Sequence, residues 1–255
     1  MGARLGQHFL FDPAILGRIA DGALIGEGDH VLEIGPGRGP LTRELARRAA
    51  RVTAIETDGR LAAALTAQFA GSNVTIVHGD ALKVDWPRAD VIAGNIPYQI
   101  TSPLIERALA PPRPQRVVFL MQLEVADRLA AAPASEAYGA LSAGVQLVAS
   151  VEKLFVVKAG SFRPPPKVQS AVVRLSPLAF RLAASDAEEA ATRRLIQAAF
   201  QRRRQQIQRT LREAYGLTSE RALAVLGTAG IPAMERAERL SPVDFLTIAR
   251  LLLAI

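Results

Sequence analysis

Three acidic residues and one asparagine, each at the end of a short β-branched run, are spaced as a ligand site would require. Glu33 leads into Gly35-Pro36-Gly37-Arg38-Gly39, where glycines let the backbone turn tightly and approach a bound molecule. The spacing is G-x-G-x-G, and Pro40 stands where a dinucleotide fingerprint needs glycine. An acid before G-x-G-x-G suits S-adenosylmethionine, which brings no pyrophosphate; the plain alternative is a glycine turn with no ligand. Glu56 ends the run Val52-Thr53-Ala54-Ile55 at about the 20-residue distance expected of an acid that holds a ribose diol. Asp58 competes for that role, and a surface acid at a strand end would look the same. After the third run, Asp80-Ala81-Leu82 can receive the cofactor's adenine, Asp80 accepting from its amine and Leu82 covering its ring. Asp80 as the cap of a turn is the alternative.

The fourth run ends in Gly94-Asn95-Ile96-Pro97-Tyr98. An aromatic amine is a poor nucleophile because its lone pair is delocalised into the ring, so methylating it requires acceptors on its two hydrogens. The Asn95 side-chain oxygen and the Ile96 carbonyl can serve, with Pro97 fixing the turn and Tyr98 stacking on a flipped-out base. Those acceptors strengthen as charge develops on nitrogen, which is transition-state stabilisation without a metal or a covalent intermediate. An ordinary turn with an aromatic lid has the same four letters; position after the fourth strand favours the site. The chain has no cysteine, which excludes disulfides, thiolate-bound metals and the cysteine adducts used to methylate pyrimidine carbons.

These side chains need a scaffold that aligns strand ends. Runs at 30–34, 51–55, 74–77, 90–93 and 116–121 alternate with helical patterns at 41–50, 59–69 and 103–110, as in an α/β doubly wound, Rossmann-like parallel sheet whose ligands sit beyond the carboxyl ends of its strands. Strand-like stretches at 147–157 and 168–175, joined through Phe162-Arg163-Pro164-Pro165-Pro166, predict an antiparallel hairpin added to that sheet. From 181 on only helices are expected, at 186–215, 219–229 and 242–255, so residues 1–180 are read as the cofactor-binding domain and 181–255 as a small all-α accessory domain. A formal charge of +7 favours a polyanionic partner. Residues 181–255 hold 12 arginines against 8 acids, and Arg202-Arg203-Arg204 with Arg209 and Arg212 predict a basic stripe on one helix, either RNA-binding or merely solvated. No apolar run approaches the ~20 residues of a membrane span, and no secretory signal is read, so a cytoplasmic location is expected.

Together these motifs resemble the KsgA (RsmA) family of rRNA adenine N6,N6-dimethyltransferases. The resemblance runs through Gly6-Gln7-His8-Phe9-Leu10, residues 32–42, Glu56, Gly79-Asp80, residues 95–98 continuing into Ile100-Thr101-Ser102-Pro103, and Phe162-Arg163-Pro164-Pro165-Pro166-Lys167-Val168-Gln169-Ser170. It implies a class I methyltransferase fold and S-adenosylmethionine as cofactor, held by Gln7, His8 (where the family usually has asparagine), Leu10, Glu33, Gly35, Gly37, Gly39, Glu56, Asp80, Ala81 and Asn95. It further implies that Phe162 faces Tyr98 across the target adenine, although the residue pattern alone reads Phe162 as a core anchor of the proline turn. The implied substrate is a pair of adjacent adenines near the 3′ end of small-subunit rRNA, in the RNA or the immature subunit, modified by a monomer. Two rivals remain at this stage: an Erm-type methyltransferase of large-subunit rRNA, and a non-enzymatic ribosome-assembly factor on the same scaffold.

Overall fold

The computed structural model describes residues 8–202 and 204–255, apart from the side chain of Tyr98. Nine strands and ten α-helices lie within those residues. In chain order they are β1 (Phe9–Leu10), α1 (Pro13–Gly22), β2 (His30–Ile34), α2 (Pro40–Ala46), β3 (Arg51–Glu56), α3 (Gly59–Gln68), β4 (Val74–His78), β5 (Val91–Asn95), α4 (Thr101–Ala108), β6 (Arg116–Gln122) and α5 (Leu123–Ala130). There follow α6 (Ala140–Gln146), β7 (Ala149–Val157), β8 (Phe162–Arg163), β9 (Ser170–Pro177), α7 (Asp186–Gln201), α8 (Ile207–Tyr215), α9 (Ser219–Thr228) and α10 (Pro242–Leu253).

The main sheet has the order β4-β3-β2-β5-β6-β9-β7. Strands β2 to β6 run parallel, and β9 is antiparallel to β6. Every residue of β2 is buried, including Val31, Leu32 and Ile34, because α-helical connections cover both faces of a parallel sheet. After β2 the chain builds outward through β3 and β4, then returns to the other side of β2 to lay down β5. The carboxyl ends of β2 and β5 therefore flank the switch point, where such folds leave a crevice for ligands. Register keeps the flanking ends level: Ile34 pairs with Ile55, Glu56 with His78, and Asn95 with Leu120.

Two compact units divide the chain, but not at one boundary. The sheet unit comprises Met1–Ala126 and Val151–Pro177; the helical unit comprises Asp127–Ser150 and Leu178–Ile255. A break falls after Pro177, close to the one expected near residue 180, and the chain crosses twice more, after Ala126 and after Ser150. Tyr138 and Ala143, fully buried, belong to the helical unit's core with Leu195, Leu211, Leu226 and Phe245, and that burial draws residues 127–150 away from the sheet. The helix expected over 186–215 is also two, α7 and α8. Between them Arg202 leaves helical geometry (φ −129°, ψ 64°), Gln206 bridges Arg236, and the Ile207 amide donates to the Glu235 carbonyl.

Candidate active site

A cavity of about 490 Å³ opens at the switch point, a size suited to a small ligand. It is lined from β2 and its loop by Glu33, Gly35 and Gly37, from β3 by Glu56, from the loop after β4 by Asp80, Ala81 and Leu82, and from the end of β5 by Asn95, Ile96 and Pro97. His8, Phe9 and Leu10 close its N-terminal side. The sheet thus collects residues from position 33 to position 97 because each stands at or just beyond the carboxyl end of a parallel strand.

The glycine loop takes the backbone conformation its sequence predicts, with φ of +69°, +60° and +78° at Gly35, Gly37 and Gly39, a region that residues with a Cβ rarely adopt. Gly39 is not a lining residue; it is the N-cap of α2, with Pro40 opening the helix. Gly94 is a requirement that motif reading missed. A Cβ there would fall far inside contact distance of the Ile34 carbonyl, so only glycine lets β5 lie this close to β2.

Glu33 is 1% exposed, and among the described residues neither of its oxygens finds a hydrogen-bond partner. Burial pushes its pKa up to about 8, the neighbouring Thr42 hydroxyl opposing that shift and the Glu56 charge adding to it. The Thr42 hydroxyl itself sits out of hydrogen-bonding geometry. A buried carboxyl left unpaired beside a cavity is costly unless a ligand supplies the partner, and a cation is the partner that fits. Glu56, also buried, is held differently: Oε2 accepts from the Gly37 amide at 3.0 Å and Oε1 from the Asp58 amide at 2.9 Å. Each oxygen retains acceptor capacity, so the carboxylate is oriented but not used up. Asp58 is instead the N-cap of α3, accepting from the Arg60 and Leu61 amides.

Asp80 caps its own turn and also borders the cavity. Its Oδ1 accepts from the Leu82 amide at 2.9 Å, and its side chain still borders the cavity. Two residues that motif reading passed over hold this loop in place. Trp86 Nε1 donates to the Ala81 carbonyl at 2.8 Å; Arg107 donates to the Ala81 and Val84 carbonyls and lies over the Trp86 ring. Arg107 stands on α4, the helix that follows the Asn95 segment, so the loop after β4 and the Asn95 segment share a brace.

The Asn95 amide is fixed by its own donor. Nδ2 donates to the His8 carbonyl at 3.1 Å, which assigns Oδ1 as the group's acceptor in a residue that lines the cavity. His8 in turn makes a 2.8 Å bond between Nδ1 and the Pro164 carbonyl. β1 pairs antiparallel with β8, Phe9 opposite Arg163 and Leu10 opposite Phe162. The proline-rich stretch is therefore the support on which the N-terminal segment rests. Phe162 is 2% exposed, packs with Leu10, Leu16 and Val172, and does not line the cavity. That corrects the expected stacking face: apolar burial has claimed the ring. Gln7 and Arg203 lie outside the described residues, as does the Tyr98 side chain. In the helical unit Arg202 and Arg209 both engage Glu213 at 2.6 Å, so the basic stripe expected on one helix is interrupted by the 202–206 link and partly neutralised. Arg204 is exposed.

A seven-stranded, mostly parallel sheet with an acid-bearing glycine loop at its switch point defines a class I methyltransferase. The profile of the ribosomal RNA adenine dimethylase family matches residues 2–253, and the chain belongs to that family of enzymes. It is 42% identical over 253 residues to the ribosomal RNA small subunit methyltransferase A of Gloeobacter violaceus, covering 96% of this chain and 91% of the relative. It is 40% identical to the protein of that name from Geobacter metallireducens, covering 98% and 95%. Among solved structures it is similar to a dimethyladenosine transferase from Plasmodium falciparum (TM-score 0.83, 30% identity, 94% of this chain and 96% of that one). It is also similar to the 23S rRNA methyltransferase ErmE (TM-score 0.74, 31% identity, 96% and 99%).

Proposed function

We propose that this enzyme uses S-adenosylmethionine to dimethylate the N6 amines of two adjacent adenines near the 3′ end of small-subunit rRNA. The observation that carries the reading is the Asn95 amide, which lines the switch-point cavity with Nδ2 engaged by the His8 carbonyl and Oδ1 left as its acceptor. The cavity's own residues fit the cofactor. Glu33, buried and unpartnered, suits the ammonium of its methionine part; Glu56 suits the ribose diol; Asp80 and Ala81 suit the adenine. The bound cofactor supplies an electrophilic methyl group on a sulfonium. The chain's task is to ready the acceptor: Asn95 Oδ1 and the Ile96 carbonyl each accept a hydrogen bond from an N6 hydrogen, the nitrogen lone pair is drawn out of conjugation towards the methyl, and the proton that the methyl displaces is lost to water, the two oxygens orienting the amine without acting as bases. The substrate assignment is supported by the relatives named as small-subunit enzymes, 42% and 40% identical over nearly the whole chain, and by the closer superposition on the dimethyladenosine transferase (TM-score 0.83) than on ErmE (0.74).

The test is methylation of immature small and large ribosomal subunits, followed by mass spectrometry of the digested RNA. N6,N6-dimethyladenosine in small-subunit RNA is expected, and Asn95→Ala should lower its formation by ~10²-fold or more, as loss of a transition-state acceptor does. Modification confined to large-subunit RNA would overturn the substrate, and full activity in Asn95→Ala the mechanism.

A further inference from the structure

Three of the four guanidinium–ring stacks among the described residues lie on one stretch of surface beside the cavity. Arg38 lies over Phe9 at 5.1 Å, Arg163 over Phe11 at 4.6 Å and Arg18 over Phe155 at 3.8 Å. Their continuity follows from the backbone. Phe9 lines the cavity; Arg163 is its partner across the β1–β8 ladder, yet reaches diagonally to Phe11, two residues on. Phe11 leads into α1, and Arg18 stands on that helix two residues beyond Leu16, which lines the cavity. All three arginines are exposed, as is Phe11, and none has a carboxylate partner among the described residues. The contrast with Arg202 and Arg209, both occupied by Glu213, is direct. A guanidinium stacked on a ring keeps its plane fixed while its N–H edges stay open, the presentation suited to bidentate phosphate contacts.

We propose that Arg38, Arg163 and Arg18, each laid on a phenylalanine, form a track beside the cavity that grips successive phosphates of the single-stranded RNA flanking the target base. The inference rests on the reading of an RNA adenine as substrate and adds where the strand runs. Phosphate contacts position a strand without reading its sequence, so the track would set which base reaches Asn95 by distance. Phe11, with one face covered by Arg163, offers its exposed edge and second face to a neighbouring base.

The experiment compares the full-length protein with the triple variant Arg18→Gln, Arg38→Gln, Arg163→Gln, and with the same three positions changed to lysine. A short fluorescein-labelled single-stranded RNA is titrated at several salt concentrations, with S-adenosylmethionine affinity and thermal midpoint measured alongside. The glutamine variant should bind RNA at least about tenfold more weakly. Its slope of log affinity against log salt should be shallower by about 2, because each phosphate contact on a single strand contributes ~0.7. Lysine should restore the slope, and cofactor affinity should be unchanged. Equal slopes in wild type and glutamine variant would overturn the track while leaving methylation by the wild type untouched. Loss of cofactor affinity or of folding in step with RNA binding would assign the arginines to packing and overturn it too. Failure of the wild type to methylate any RNA would instead sink the functional reading beneath it.

Discussion

Glu33 is a buried carboxyl group with no hydrogen-bond partner among the described residues, and that state has a cost that depends on pH. Its folded pKa of about 8 lies above the value of 4.5 taken without the fold, so between those values the folded chain holds a proton the unfolded chain has lost. Stability of the cofactor-free protein therefore falls as pH rises through this window, by up to ~1.4 kcal/mol per pH unit, and levels off above about pH 8. Glu33→Gln removes the titration. Its thermal midpoint should decline less than that of the wild type between pH 5 and about 8, while its affinity for S-adenosylmethionine should drop about tenfold or more for want of a counter-charge. Parallel midpoint curves for the two proteins would refute this account. Residues such as Glu33, Glu56, Asp80 and Asn95 were legible in the sequence because each needs only a strand before it and a fixed spacing. Gly94, Trp86 and Arg107 were not, since what they touch is decided by strand proximity and loop packing rather than by any motif.

Among elements, the parallel strands announced themselves as β-branched runs because both faces of the sheet are buried, and the predicted bounds fall within two residues of those observed. The pairing of β1 with β8 left no such mark. Two-residue strands have no periodicity, and their partners are more than 150 positions apart. That pairing nonetheless decides what Phe162 does. As a buried anchor it holds Leu10 and, through the ladder, the segment that bonds Asn95. Phe162→Ala should cost ~3–5 kcal/mol, speed amide exchange in residues 8–11 and weaken cofactor binding. Phe162→Leu, which keeps apolar volume but no aromatic face, separates anchoring from stacking: it should cost less than about 1.5 kcal/mol and leave methylation near the wild-type rate. A base stacked on the ring would be worth ~1–3 kcal/mol, so a loss of that size in Phe162→Leu with cofactor affinity intact would return the ring to the RNA. The break between α7 and α8 was hidden for a different reason: residues 202–206 contain neither proline nor glycine, and the bridge from Gln206 to Arg236 that interrupts the helix is tertiary.

At the scale of the molecule, the chain passes from the sheet unit to the helical unit at Ala126, returns at Val151 and leaves again after Pro177. Composition does not change at 127–150, so only contacts reveal where that stretch belongs. Tyr138 is fully buried there, its hydroxyl donating to the Leu240 carbonyl at 2.9 Å and its ring meeting Phe200 edge-on at 6.0 Å between centroids. The Ala134 amide donates to the Glu238 carbonyl at 2.7 Å, and Ala131 and Ala143 fill the same core. A chain ending at residue 180 keeps the whole cofactor cavity yet strips Tyr138, Ala131 and Ala143 of the core that covers them. Such exposed apolar surface invites association and local unfolding. Limited proteolysis of that truncated chain should cut within 127–150 well before the sheet, and its scattering should show aggregates, while the full chain resists at those positions. Tyr138→Ala in the full chain should cost ~3–5 kcal/mol by the same loss of burial, whereas Tyr138→Phe should lose only the hydrogen bond, ~1 kcal/mol. A truncated chain that stays monodisperse and protease-resistant across 127–150 would show that this stretch folds with the sheet after all, and that its contacts with α7 to α10 are dispensable.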